Sequence, residues 1–98
     1  MREIPKNLTK SEIDTLLQTY GDWKLETEGN LSFFIFYKEF RNFKDAFGLI
    51  AKLALVSEAL DHHAEIWNTY NKVRLKLFTH ETHSLTTRDK DFITKLMD

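Results

Sequence analysis

All four histidines of the chain, His62, His63, His80 and His83, lie between positions 62 and 83. A side chain whose two protonation states interchange near neutral pH can give a proton to one atom and take one from another, which suits elimination or hydration. Clustered imidazoles beside carboxylates can also hold zinc. Glu58 stands four residues before His62, one helical turn, so its carboxylate is expected to reach that imidazole. Three readings stay open on spacing alone. The histidines are polar loop residues and Asp89 is only a helix cap; they bind a metal; or they exchange protons with a substrate. No His-Glu-x-x-His pattern occurs, so the metal reading rests on adjacent histidines alone.

Composition removes other classes. At 98 residues the chain has length for one core, and residues 1–98 are expected to form a single domain. Lys+Arg 14 against Asp+Glu 15 leaves a net charge of -1, with no excess positive charge for a run of phosphates, so direct nucleic-acid binding is not expected. With Cys 0 there is no disulfide framework, thiolate site or cysteine nucleophile. The longest apolar runs fall short of the roughly 20 residues of a membrane span. Met1-Arg2-Glu3-Ile4-Pro5-Lys6 is not followed by the apolar segment of a signal peptide. The expectation is a soluble intracellular domain.

Seven elements position these residues. Thr9-Lys10-Ser11-Glu12 has capping-box spacing and opens a helix with Leu8, Ile13, Leu16, Leu17 and Tyr20 on its apolar side, stopped by Gly21. A strand from Trp23 to Thr27 turns at Glu28-Gly29-Asn30 into a second from Leu31 to Phe40. That second strand is apolar on both faces, with Leu31, Phe33, Ile35 and Tyr37 opposed to Phe34 and Phe36, and so should be covered on both, by helices or by a second subunit. Asn42 caps a long helix, Phe43 to Leu60, whose apolar face is broad enough to meet both a sheet and another helix. Leu49 and Leu53 are read as outward positions on it, and Gly48 as a place of close approach. After a break at Asp61-His62-His63-Ala64 come strands Ile66 to Tyr70 and Val73 to Thr79, the latter with Val73, Leu75 and Leu77 inward. Thr86-Thr87-Arg88-Asp89 opens a last helix with Phe92, Ile93 and Leu96 on its apolar face. The order α-β-β-α-β-β-α implies an α+β fold, a four-stranded antiparallel sheet with three helices on one face.

The segment Glu58-Ala59-Leu60-Asp61-His62-His63-Ala64, with Tyr70-Asn71-Lys72-Val73, Thr79-His80 and Leu85-Thr86-Thr87-Arg88-Asp89, resembles the pterin-4a-carbinolamine dehydratases. That family's pattern is an acidic residue, a His-His pair usually followed by proline, an aromatic, a further histidine and an aspartate. Tyr70, His80 and Asp89 stand at the matching spacings. Gly21-Asp22-Trp23 and Asn42-Phe43-Lys44-Asp45-Ala46-Phe47-Gly48 resemble the family as well. Ala64 replaces the usual proline, leaving that loop less rigid, and Ser84 replaces a common glycine; neither removes an acid/base group.

The resemblance implies dehydration of 4a-hydroxytetrahydropterins to quinonoid dihydropterins, as in tetrahydrobiopterin recycling, with no metal and no cofactor. It implies His62 as general acid oriented by Glu58, His80 as second acid/base, and His63 as a pterin-binding residue that assists proton traffic. Ala64, Thr79, Glu81, Asp89 and Trp23 join His62, His63 and His80 as substrate-binding candidates, although a capping role explains Asp89 equally well and a place in the core explains Trp23 better. Tyr70 is read as packing and His83 as surface. A homodimer or homotetramer in the cytoplasm is implied, and for some relatives, which also work in the nucleus, a transcription-factor partner held by the long helix.

Overall fold

The computed structural model describes residues 3–98; Met1 and Arg2, part of the segment read above for a signal peptide, lie outside the described residues. The order is α1 (Lys10–Thr19), β1 (Trp23–Glu28), β2 (Leu31–Glu39), α2 (Phe43–Leu60), β3 (Glu65–Thr69), β4 (Lys72–Leu77) and α3 (Thr87–Met97). The strands run β1-β2-β4-β3, every neighbouring pair antiparallel. The α+β expectation holds, with element ends within two residues of those read from the sequence.

Each helix begins where its cap says. Thr9 Oγ1 accepts the Glu12 N–H at 3.1 Å while the Glu12 carboxylate accepts the Thr9 N–H at 2.9 Å. Asn42 Oδ1 accepts from the Asp45 N–H at 2.8 Å. Thr86 and Asp89 close a second capping box on α3. The left-handed residue that ends α2 is Asp61, at φ 49 and ψ 49, where glycine is usual; aspartate is among the few residues that tolerate it.

Register sorts the sheet into two faces. Phe34 pairs with Leu77 and Phe36 with Leu75, and Trp23 lies beside Phe36. These side chains are buried with Val73 under Leu16 of α1, Ala46, Leu53 and Val56 of α2, and Phe92, Ile93 and Leu96 of α3. The other face carries Phe33, Ile35, Tyr37, Trp67, Arg74 and Lys76 and has no helix over it. Phe33 is nonetheless buried, with the Lys76 ammonium 4.3 Å from its ring centre; Arg74 lies 5.5 Å over Trp67, which stays half-exposed. The chain thus covers one face of β2, and Tyr37 stays 46% exposed.

Three local readings are corrected. Leu53 points into the core at 1% exposure, because it shares the stripe of Ala46, Val56 and Ser57; the outward apolar residues of α2 are Phe43, Phe47 and Leu55. A Cβ on Gly48 would meet nothing within 4 Å, so no close approach within the chain explains that glycine. Tyr70 sits in the β3–β4 turn at φ 50 with its ring exposed, not packed.

Two outcomes follow from this packing. Leu75→Ala should lower unfolding free energy by about 2–5 kcal/mol in urea titrations, and Tyr37→Ala by less than about 1 kcal/mol. Hydrogen bonds from Thr9 hold the Glu12 carboxyl below its ordinary value of 4.5. A carboxyl with a lower value folded than unfolded stabilises above the unfolded value, and that stability is lost as pH falls through the folded one. Below pH 4.5 the wild type should therefore lose stability more steeply than Glu12→Gln.

Candidate active site

The left-handed turn at Asp61 decides where the paired histidines go. It ends the 3.6-residue period after Leu60, and the His62 N–H returns to the Ser57 carbonyl at 3.1 Å. His62 is thereby carried inward, to 7% exposure, and His63 outward. Glu58 does not reach His62: its Oε2 lies 3.1 Å from Nε2 of His63, and both side chains are largely in solvent. The helical-turn argument fails because His62 stands beyond the end of the helix.

The partner of His62 is Asp89, whose Oδ1 lies 2.6 Å from His62 Nε2 across 27 residues of sequence. Asp89 is fully buried. Its Oδ2 accepts the Thr86 N–H at 2.9 Å and the Thr79 hydroxyl at 2.8 Å, and the Thr79 and Thr86 hydroxyls are 2.6 Å apart. The Thr86 N–H and the Thr79 hydroxyl thus both donate to this carboxylate at the first turn of α3. An ionised Asp89 only accepts, so the hydrogen of neutral His62 is on Nε2 and Nδ1 is the nitrogen left for proton exchange. The edge of the His62 ring rests on Phe92, 6.0 Å between centres.

His80 is positioned differently. Just past the end of β4, Thr79 pairs with Ser84 to close the loop that carries His80, Glu81 and His83. The His80 ring stacks on Phe78 at 4.2 Å and 6°, and His83 meets the same phenyl ring edge-on at 5.9 Å. Arg88 fixes this loop to the N-terminal segment, donating to Glu81 at 2.7 Å and to the Glu3 carbonyl.

Between the loop after α2 and the end of β4 lies a cleft of about 290 Å³, lined by Asp61, His62, His63, Ala64, Glu65, Thr79, His80 and Glu81. Three imidazoles from two separated segments therefore border one hollow. A wider hollow of about 720 Å³ on the open face of the sheet has no imidazole in its lining. Of the residues singled out from the sequence, His62, His63, Ala64, Thr79, His80 and Glu81 border the cleft. Glu58 touches it through His63, and Asp89 lies beneath it behind His62. Trp23 does not belong to it: its ring packs on Phe36 in the core. His83 lies behind Phe78, outside the lining. Among the described residues, no three His, Asp or Glu side chains are grouped to hold a metal ion.

Phe78 and Thr86 were missed as site residues by sequence reasoning. Phe78 had a signal, its two-residue spacing from His80; Thr86 was read only as the cap it also is. Removing Asp89 should be costly. Asp89→Ala leaves a buried imidazole, the Thr79 hydroxyl and the Thr86 N–H without their acceptor. It is expected to lower unfolding free energy by about 3–5 kcal/mol, against less than about 1 kcal/mol for Glu58→Ala, by urea denaturation.

The sequence and the fold have counterparts. The family model described as Pterin 4 alpha carbinolamine dehydratase matches residues 6–98. A protein of Prochlorococcus marinus (strain NATL2A), named "Putative pterin-4-alpha-carbinolamine dehydratase", is 35% identical over 82 residues, covering 84% of this chain and 82% of its own. A protein of the same name from Novosphingobium aromaticivorans is 38% identical over 84 residues, covering 86% of this chain and 85% of its own. The crystal structure of a transcriptional coactivator/pterin dehydratase from Brucella melitensis superposes with a TM-score of 0.79 at 33% identity. It covers 94% of this chain and 96% of that one. With the fold, the histidine cleft and a match that spans nearly its whole length, the chain belongs to the pterin-4-alpha-carbinolamine dehydratase family.

Proposed function

We propose that this protein dehydrates a 4a-hydroxytetrahydropterin to the quinonoid dihydropterin and water, within tetrahydropterin recycling. The observation that carries the reading is the convergence of His62, His63 and His80 on one cleft. The chemistry asks for little else. The C4a–O bond breaks as the N5 lone pair forms a C4a=N5 double bond; the hydroxyl leaves as water once protonated, and N5 gives up its proton. A protein must supply one proton, accept another and hold a flat ring, help worth about 10²–10⁴-fold for the proton transfers.

In this reading His62 keeps its Nε2–H on Asp89, takes up a proton on Nδ1, and as the imidazolium delivers that proton to the 4a-hydroxyl; the orienting carboxylate is Asp89 rather than Glu58. His80, held flat on Phe78, is the second acid/base. His63, paired with Glu58 at the solvent edge, binds the pterin and passes protons outward. Glu81 and Ala64 border the ring, and a neutral pterin needs no basic patch.

A second role has one observation in its favour. Phe43, Phe47 and Leu55 leave an apolar strip along the outside of α2, and the Brucella relative is named a transcriptional coactivator as well as a dehydratase. A homo-oligomer, or a transcription factor's helices, would cover that strip; the open face of β2 is a second surface for a subunit. No helix among the described residues is long and apolar enough to cross a membrane.

The assay is direct. Purified protein should accelerate loss of the 4a-hydroxytetrahydropterin absorbance, and His62→Ala and His80→Ala should each lower kcat/KM at least about tenfold. A wild-type protein that gives no acceleration overturns the reading.

A further inference from the structure

We propose that Thr79 is a positioning residue: its hydroxyl locks the Asp89 carboxylate and thereby fixes which nitrogen His62 presents to the cleft. The inference rests on the dehydratase reading for its consequence in rate, but not for its geometry. Thr79 was read from the sequence as a substrate contact. It borders the cleft, yet it is 1% exposed and its hydroxyl is already committed.

The hydrogens can be assigned one by one. Oδ2 of Asp89 takes the Thr86 backbone N–H, which can only donate, at 2.9 Å. It also takes the Thr79 hydroxyl hydrogen at 2.8 Å. A hydroxyl has one hydrogen, so in the 2.6 Å contact between the two threonines Thr86 must be the donor and Thr79 the acceptor. Thr86 Oγ1 in turn accepts the Arg88 N–H at 3.2 Å. The chain of bonds thus has one direction, from the first turn of α3 through Thr86 and Thr79 to Asp89. With two donors on Oδ2 the carboxylate cannot rotate about its own axis, and Oδ1 stays aimed at His62 Nε2. Thr79 has no hydrogen left to give a ligand.

A valine at position 79 keeps the volume and removes the hydroxyl. Oδ2 then has the Thr86 N–H alone, the Thr86 hydroxyl loses its acceptor, and the carboxylate is free to tilt. Under the proposed reaction a misaimed imidazole lowers kcat, whereas binding of the flat ring hardly changes.

The test compares wild type, Thr79→Val and Thr79→Ser as full chains, by steady-state kinetics on 4a-hydroxytetrahydropterin and by the ¹⁵N signals of the His62 ring in the free protein. Wild type and Thr79→Ser should show one neutral tautomer, protonated on Nε2. Thr79→Val should show a mixture, with kcat lowered about tenfold, KM within about twofold, and the serine variant restored to within about threefold of wild type. A Thr79→Val protein with wild-type kcat and an unchanged tautomer overturns the proposal. If the wild type has no activity, the dehydratase reading falls and the tautomer comparison alone decides this one: a mixture in the valine variant supports it, an unchanged ring overturns it. Should Thr79→Val not fold, the wild-type hydroxyl is observed directly. A slowly exchanging Thr79 hydroxyl proton supports the assignment, and one in rapid exchange with water overturns it.

Discussion

A single carboxylate in a dry place organises this molecule. Asp89 has no contact with solvent, and an unpartnered charge there would cost several kcal/mol. Its partners come from three parts of the chain: Thr86 at the start of α3, Thr79 just beyond β4, and His62 just beyond α2. None of the three can move far without stranding the charge. The burial that makes the carboxylate expensive to leave unpaired is therefore what holds a helix, a strand end and a loop in fixed relation, and the cleft lies where those three meet.

Most of the fold was legible because its determinants are local. Thr9 with Glu12, Asn42 before Phe43, and the alternation of Val73, Leu75 and Leu77 each act within a few residues, and each places its element as read. The site was legible in its membership but not in its wiring. Glu58 and His62 stand at helical spacing, and nothing in a linear reading announces that Asp61 will adopt a left-handed conformation and break that spacing. The Asp89–His62 bond was hidden for the opposite reason. Asp89 already had a sufficient local explanation as the third residue of a capping box, and a carboxylate has two oxygens. Oδ2 does the capping; Oδ1 reaches the histidine.

Sheet burial shows a similar limit. A strand with Phe33, Ile35 and Tyr37 on one side and Phe34 and Phe36 on the other reads as covered twice. The chain covers the second set with helices and the first only in part, with the long side chains of Lys76 and Arg74 laid over Phe33 and Trp67. Cation–π contact lets apolar rings stay on an open face with less loss than a count of hydrophobic residues suggests. Trp23, a candidate pocket wall that was read more readily as core, is in the core, where its register opposite Phe36 sends it.

The two carboxylate–imidazole pairs of the cleft differ in burial, and burial sets what each can do. His63 and Glu58 meet at 3.1 Å with both side chains largely in water, where such a pair is worth about 0–1 kcal/mol and leaves the ring free to shift. His62 and Asp89 meet at 2.6 Å with almost no water, where neither partner can turn away without leaving the other unpaired. Under the proposed dehydration, delivering a proton to one oxygen of the pterin would call for the second kind of pair, and admitting the ring and carrying protons to solvent for the first. His80 belongs with the fixed group by another means, since a ring stacked on Phe78 keeps its plane without any charge partner. Phe78 and Thr79 are consecutive residues just past the end of β4. One of them carries the His80 ring and the other, through Asp89, the His62 ring. The placement of both imidazoles is thus tied to the same two neighbouring residues.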